Sequence, residues 1–331
     1  MTRILVTGGA GYVGSVSVAA LLAAGHDVSV LDDLTTGHAG AVPDGVRLHE
    51  GTYADERVIR NVLDDGRIEA ILHCAARSLV NESIRDPARY YRDNVAGGVT
   101  LLEAARTAGV QRVVFSSTAA VYGTPDATPI PEDAPLQPIN PYGETKRTFE
   151  AALGWYGRAY GVRSVSLRYF NVAGAPAALG EDHEPETHLI PNVLAAARGE
   201  RELTVFGDDY PTADGTCIRD YIHVADLADA HLRAIEATAA GDERTAEPLA
   251  CNLGSGGGFS VRQVLDAAAA VVGRPIPHTI GPRRAGDPPV LVATIDRARR
   301  VLGWEPRRSN LEAMIGSAWE WRARNPAGYR D

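Results

Sequence analysis

Tyr142 and Lys146 stand four residues apart in the run Pro141-Tyr142-Gly143-Glu144-Thr145-Lys146, a spacing that puts both side chains on one face of a helix. A phenol with an ordinary pKa of ~10 is a poor base at neutral pH, and a neighbouring ammonium favours its ionised form. Upstream, Phe115-Ser116-Ser117-Thr118 closes an apolar run with a cluster of hydroxyls. From there Thr118 can hydrogen-bond the oxygen of a reacting substrate, while Ser116 and Ser117 read as polar groups at a strand end. Tyr142, Lys146 and Thr118 are thus candidate catalytic residues for proton transfer to or from a substrate hydroxyl. The bare spacing fits an exposed Tyr and Lys on a surface helix equally well, so the reading depends on whether the chain also carries a redox partner for the hydroxyl-bearing carbon.

It does. The first apolar run leads into Thr7-Gly8-Gly9-Ala10-Gly11-Tyr12-Val13-Gly14, with glycines at 8, 11 and 14 at a strand-to-helix junction. Glycines there permit a tight turn, backbone approach to a pyrophosphate and close helix packing, and the helix start offers unpaired N–H groups. Asp32 follows at the end of the next apolar run, 18 residues after Gly14. A carboxylate at that position bonds both ribose hydroxyls of NAD and repels the 2′-phosphate of NADP. Asp33, beside it, is a second acid that also fits a solvated turn. Gly8, Gly11, Tyr12, Val13, Gly14 and Asp32 are the candidate NAD-binding residues.

These residues need a scaffold, and the chain supplies an alternation. Short apolar runs at 4–7, 28–31, 70–73, 112–116 and 164–169 read as strands, and helical patterns fall at 11–24, 56–63, 87–108 and after Pro141. This rhythm of βαβ units predicts an α/β fold, a doubly wound parallel Rossmann sheet with helices on both faces. From Asn171 the sequence turns rich in Gly, Pro and acids through Thr187, with further loops at 207–215 and 254–258. We read 1–170 as the NAD-binding domain and 171–331 as mainly a smaller C-terminal substrate-binding lobe. The segment 217–240, a strand followed by a helix, is expected to return to the first domain.

The 331 residues carry 33 basic and 42 acidic side chains, a net charge of −9. No basic stripe recommends a nucleic-acid partner, and no apolar stretch approaches the ~20 residues of a membrane span. The start, Met1-Thr2-Arg3 running straight into Ile4-Leu5-Val6, lacks the order of a secretory signal. Cys74, Cys217 and Cys251 are far apart, without disulfide or zinc spacing, so the expectation is buried thiols in a cytoplasmic protein with no metal.

Longer blocks carry a resemblance. Thr7 to Ser15, Ser116-Ser117-Thr118-Ala119-Ala120-Val121-Tyr122-Gly123, Asn140-Pro141-Tyr142-Gly143, Leu167-Arg168-Tyr169-Phe170-Asn171 and Asp214-Gly215-Thr216-Cys217-Ile218-Arg219-Asp220-Tyr221-Ile222-His223-Val224 resemble the extended short-chain dehydrogenase/reductases, and within them the UDP-glucose 4-epimerases, over essentially the whole chain. The last two blocks are the specific ones. The resemblance implies NAD-dependent, reversible epimerisation of UDP-galactose and UDP-glucose at sugar carbon 4 through a 4-keto intermediate, by a homodimer. It makes Tyr142 the acid/base, Thr118 its hydroxyl assistant and Lys146 the ribose-binding cation. It assigns Asn171 and Arg219 to the diphosphate, with Arg284 and Asp287 completing the UDP site, and Leu189 and Phe206 to the uracil end. Asn94 and Tyr169 fall where the family contacts the nicotinamide side or the substrate.

Some positions depart from the family pattern. Thr52 stands where Asp often accepts from adenine, which predicts looser retention of NAD. Arg77 lies in a loop that commonly has lysine, Val16 replaces a frequent His, and Leu291 lies where hexose-pocket volume is set. His188 fits either a site-lining or a structural histidine. A sugar-nucleotide 4,6-dehydratase needs an acid pair beside the catalytic Thr, where this chain has Ala119-Ala120. Epimerases of UDP-N-acetylhexosamines, UDP-pentoses or UDP-uronates remain as alternatives; a uronate enzyme needs an extra cation, for which Arg77 is the candidate. A non-catalytic NAD-binding sensor is expected to have lost the Tyr/Lys pair, which this chain keeps.

Overall fold

The computed structural model describes residues 1–331 except 177, 246, 285, 286, 330 and 331. A seven-stranded, all-parallel sheet forms the centre, built from β1 (Arg3–Thr7), β2 (Asp27–Asp32), β3 (Arg47–Glu50), β4 (Ala70–His73), β5 (Arg112–Thr118), β6 (Arg163–Tyr169) and β11 (Leu249–Leu253) in the order β11-β6-β5-β4-β1-β2-β3. Side chains alternate between its faces, as a period of two requires. Ile4 and Val6 pack with Val18 and Leu21 of α1 (Tyr12–Ala23) and Leu227 and Ala234 of α8 (Val224–Ala237). Leu5 points the other way, toward Ile59 and Leu63 of α2 (Glu56–Gly66) and Leu101 and Ala105 of α5 (Gly97–Thr107). With both faces covered, the central strands β1 and β4 are near-continuous apolar runs, Ile4-Leu5-Val6 and Ala70-Ile71-Leu72.

The strand order reverses at β1. The chain moves outward through β2 and β3, then crosses back to β4 on the opposite side of β1. This reversal opens a crevice at the carboxyl ends of β1 and β4, the usual ligand position of such sheets. The glycine turn, the end of β5 and the start of α6 (Pro141–Tyr160) all adjoin that end.

Three details differ from the sequence reading. The helical stretch expected over 87–108 is α4 (Pro87–Tyr90), a wide π-helical run Tyr91–Ala96, and α5, preceded by a short α3 (Val80–Arg85). The wide turn carries the buried Asn94, whose side chain is drawn into bonds with Arg77 and Thr145. The edge strand β3, Arg-Leu-His-Glu, has too little apolar character to stand out. The segment starting at Cys217 divides into β9 (Ile218–Arg219) and β10 (Tyr221–His223), and neither joins the main sheet. The pieces that do pack with the first half are α8, lying beside α1, and β11, which lies beyond residue 240.

The remaining elements form small sheets: β7 (Asn171–Ala173) with β10, β12 (Phe259–Ser260) with β9 and β14 (Val290–Leu291), and β8 (Thr204–Phe206) with β13 (Thr279–Gly281). Helices α7 (Leu189–Arg198), α9 (Val261–Val272) and α10 (Leu311–Arg324) enclose a second core of Ile190, Val193, Val264, Ala268 and Met314. Among the described residues no helix is long and apolar enough to cross a membrane.

Candidate active site

The glycine turn is shaped by its neighbours. Gly8 has φ +72°, and a Cβ there would lie 2.6 Å from the Ala75 nitrogen at the end of β4. A Cβ on Gly14 would lie 1.9 Å from the Gly8 oxygen, so α1 seats directly on the turn. Gly11 is different, because its Cβ would meet only the Gly8 oxygen, at 3.4 Å. The protein itself leaves room there, and Gly11 supplies no side-chain cap to the first turn of α1. Open space beside uncapped N–H groups fits a bound pyrophosphate. Tyr12 turns its side chain away, donating from its hydroxyl to the Gly174 oxygen at 2.5 Å, and Val13 packs against the apolar cores. Only their backbone is left to face a dinucleotide. Asp32 accepts from the Ala10 and Leu34 N–H groups at 3.0 and 2.9 Å, which ties the turn to the end of β2. Burial holds its carboxyl above the usual range against these two bonds. Asp33 is exposed and serves a local turn with Thr35.

The catalytic candidates meet where β5 ends and α6 begins. Asn140 caps α6 by accepting from the Gly143 N–H at 2.9 Å, with Pro141 in the first helical position. A Cβ on Gly143 would lie 2.4 Å from the Ala120 oxygen, so only glycine lets α6 start this close to the turn after β5. That approach brings the Tyr142 hydroxyl to Thr118. Thr118 accepts from the Ala120 N–H at 3.2 Å, and its hydroxyl is near enough to the phenol to favour the ionised form. Burial outweighs that influence and keeps the phenol above its ordinary pKa. Lys146, one turn along, is buried and pushed down to about 8 by loss of water. Its Nζ donates to the Ser116 carbonyl at 2.8 Å and lies 4.6 Å from the Phe115 ring centroid and 6.0 Å from that of Tyr142. The expected lowering of the phenol pKa by the lysine is therefore not met in this geometry, because the ammonium faces a carbonyl.

Ser116 and Ser117 do more than end a strand. The Ser116 hydroxyl joins Cys74 Sγ at 3.2 Å and His231 Nε2 at 3.0 Å, and the other ring nitrogen of His231 meets Ser17 Oγ at 3.0 Å. Ser117 donates to Glu150, which pairs with the buried Arg168. Tyr169 lies opposite Thr118 in the β5–β6 register, and burial raises the pKa of its hydroxyl.

Two residues beyond Tyr169, β7 begins. Asn171 donates from its backbone and side chain to the Asp220 carbonyl. Next to Asp220, Arg219 pairs with Asp287 and lies opposite Leu291 in the β9–β14 register. The Arg284 guanidinium stacks 4.2 Å above the ring centroid of Phe206, which is 38% exposed. The structure thus joins Asn171, Arg219 and Asp287 through Asp220, and pairs Phe206 with Arg284; Leu189 opens α7 at the edge of the second core. Ala285 and Gly286 of the same block lie outside the described residues.

Sequence reasoning missed Asp220 as an organiser. Fully buried, its carboxylate accepts from Tyr221, Ser255 and Ala293, joining β10 to the 254–258 loop and the residues after β14. Asn94 accepts from the Arg77 N–H and donates to the Arg77 carbonyl and Thr145, so its side chain clamps the Arg77 loop to α6. The Arg77 guanidinium is taken up by Asp93, which leaves no support for it as an extra cation at a substrate carboxylate. Thr52 accepts from the Ala54 N–H at 3.2 Å. Val16 packs with Tyr12, Val224 and Ala228, an apolar reason for its identity. His188 pairs with Glu181 and Glu186, which hold its imidazole protonated, up to about 10.

A dinucleotide turn at a strand-order reversal, next to a Thr–Tyr–Lys cluster, defines a nucleotide-cofactor enzyme of the extended short-chain dehydrogenase/reductase class. The model of the NAD dependent epimerase/dehydratase family matches residues 4–254, and the chain belongs to that family. It is 52% identical over 318 residues to UDP-glucose 4-epimerase of Corynebacterium glutamicum, covering 96% of this chain and 94% of the relative. Among solved structures, the UDP-glucose 4-epimerase of Brucella ovis in complex with NAD superposes with a TM-score of 0.93 at 44% identity, covering 97% of this chain and 98% of that one. The UDP-glucose 4-epimerase of Bifidobacterium longum in complex with NAD+ and UDP gives 0.92 at 35% identity, covering 99% and 100%.

Proposed function

We propose that this chain reversibly epimerises UDP-galactose and UDP-glucose at sugar carbon 4, with NAD as cofactor and a 4-keto sugar as intermediate. The observation that carries the reading is Tyr142, beside Thr118 and one helical turn from the buried Lys146, at the end of the crevice that the glycine turn opens. NAD, when bound, supplies a hydride acceptor that also returns the hydride. Tyr142 takes the proton of the 4-hydroxyl and gives it back, Thr118 holds that oxygen in line, and Lys146 supplies positive charge at the cofactor ribose. Arg219 offers two parallel donors to the diphosphate, joined by Asn171 and Arg284, with Asp287 orienting the Arg219 fork. Leu189 and Phe206 provide the apolar wall at the uracil end. Firm contacts at UDP and few at the hexose let the keto sugar present either face.

In this reading, residues 1–170 with α8 and β11 hold NAD, and most of 171–331 holds the UDP-sugar. It extends to a cytoplasmic homodimer, supported by three free thiols and by Tyr91, Val99 and Trp155, apolar side chains exposed on the helical surface. The test is incubation with UDP-galactose, with and without added NAD, following the anomeric protons by NMR. Appearance of UDP-glucose supports the assignment. No conversion with NAD present, alongside turnover of a UDP-N-acetylhexosamine or UDP-pentose, moves the assignment to that sugar.

A further inference from the structure

Between Gly180 and α7 the chain runs Glu181-Asp182-His183-Glu184-Pro185-Glu186-Thr187-His188. The spacing Glu-x-His-x-x-Glu-x-His went unread in the sequence, where only cysteines were weighed for a metal. In the structure, one oxygen or nitrogen from each of Glu181, His183, Glu186 and His188 lies within 4.8 Å of all the others. His183 Nδ1 is 3.1 Å from Glu181 Oε1, and His188 Nδ1 is 2.7 Å from the same oxygen and 2.9 Å from Glu186 Oε1. His183 Nδ1 and Glu186 Oε2 are 3.9 Å apart. Ligand atoms ~2.0–2.2 Å from a tetrahedral zinc lie roughly 3.3–3.5 Å from one another, in the middle of this range.

We propose that Glu181, His183, Glu186 and His188 form a binding site for a divalent transition-metal ion of the zinc class. The alternative is a metal-free cluster of ion pairs, and two features count against it. A single Nδ1 of His188 faces two carboxylate oxygens, and one N–H cannot point at both. Two carboxylates also converge with Glu181 only 7% exposed at its side chain, and among the described residues no Lys or Arg side chain pairs with either. A cation at the centre is within reach of one ligand atom from each of the four side chains and offsets the two converging carboxylates. Two imidazoles and two carboxylates suit zinc, cobalt or nickel better than calcium or magnesium.

The position gives the ion a structural task. The His183 ring meets the Tyr12 ring edge-on, with centroids 6.2 Å apart, at the start of α1. The Asp182 carbonyl bonds His38 of the first domain, and its carboxylate accepts from Tyr329 and Arg322 near the C-terminus. A metal here fastens the 181–188 loop where it crosses from the second lobe to the glycine turn. It is outside the proton and hydride chemistry, so the inference does not rest on the epimerase reading.

The test uses full-length protein stripped with a chelator and titrated with Co2+. The expected result is one equivalent bound with the visible bands of a tetrahedral N/O site, no thiolate charge-transfer absorption, and displacement by one equivalent of Zn2+. The His183→Asn/His188→Asn double variant is expected to weaken Co2+ binding by at least ~100-fold, with circular dichroism reporting its fold. Glu186→Gln, at a more exposed ligand, is the second variant and should weaken binding by ~10-fold or more. Absence of saturable Co2+ binding in the wild type, thiolate bands, or equal affinity in folded variants would overturn the proposal.

Discussion

The ammonium of Lys146 donates to the backbone oxygen of Ser116 at 2.8 Å, which holds the cation against the end of β5 while the Tyr142 ring centroid is 6.0 Å away. Burial has brought its pKa down to about 8, so in the ligand-free protein the positive charge is present below that pH and lost above it. NAD affinity that depends on this charge should be flat from pH 6 to 7.5 and fall above 8, by at most about tenfold per pH unit. In Lys146→Met the affinity should be lower and the inflection absent. Calorimetric NAD titrations across this range check it, and an inflection that survives in the variant would assign it to another group.

Tyr142→Phe removes the proton acceptor and keeps the ring that packs at the start of α6. Turnover should fall about 100- to 10,000-fold, the usual worth of a positioned acid/base, with UDP affinity within about twofold of wild type. Thr118→Val should fall less, because the phenol remains. Steady-state rates paired with UDP binding distinguish these from misfolding, which lowers both.

The Arg219 fork is paired with Asp287 before any nucleotide arrives. Arg219→Lys keeps the charge and loses the two parallel donors, so the KM for UDP-sugar should rise about 10- to 100-fold, the value of one or two charged hydrogen bonds, with kcat changing far less. A kcat loss with unchanged KM would place Arg219 in the chemical step.

Much of this site was legible because its parts are local. The glycine turn, Asp32 and the Tyr142/Lys146 pair lie in short contiguous runs whose spacing acts directly on one helix start or one helix face. What stayed hidden depends on partners distant in sequence. The Asp220 carboxylate is defined by Ser255 and Ala293, the wide turn at Asn94 by Arg77 and Thr145, and His231 by serines that come from α1 and β5. The strand β3 escaped notice because an edge strand needs only one well-buried side. The direction of Lys146 was equally invisible, since the carbonyl it bonds is a backbone atom that every residue type has.

Thr52 tests how tightly the cofactor is kept. Its hydroxyl accepts from the Ala54 N–H, so one acceptor is committed to the turn. An aspartate at this position can keep that bond on one oxygen and offer the other to an adenine amino group. Thr52→Asp should therefore raise NAD retention through gel filtration, and activity after that step should depend less on added NAD. Equal NAD content in both proteins would remove position 52 from cofactor retention.

Acid stability follows from two histidines buried as neutral rings. His73 bonds Thr7 Oγ1 at 2.7 Å, His231 bridges Ser17 and Ser116, and burial pushes both down to about 3, with the Lys146 charge adding to the effect at His73. Above pH ~6.5 the unfolded chain leaves these rings neutral too, and they make stability independent of pH. Between ~6.5 and 3 the unfolded chain binds two protons that the native chain refuses, so stability falls as pH falls, by up to about 1.4 kcal/mol per pH unit for each ring. Asp32 and Asp220 oppose the trend, because burial holds their carboxyls above the ordinary range and the native state takes up protons there first. The clean measurement is therefore a difference. His231→Gln removes one ring and keeps a side chain able to bond the two serines, so its urea-unfolding free energy should decline between pH 6 and 4.5 with a slope shallower than wild type by about 1.4 kcal/mol per pH unit. Parallel slopes would mean that His231 is protonated in the native protein at these pH values, and that the Ser17–His231–Ser116 bridge is charged.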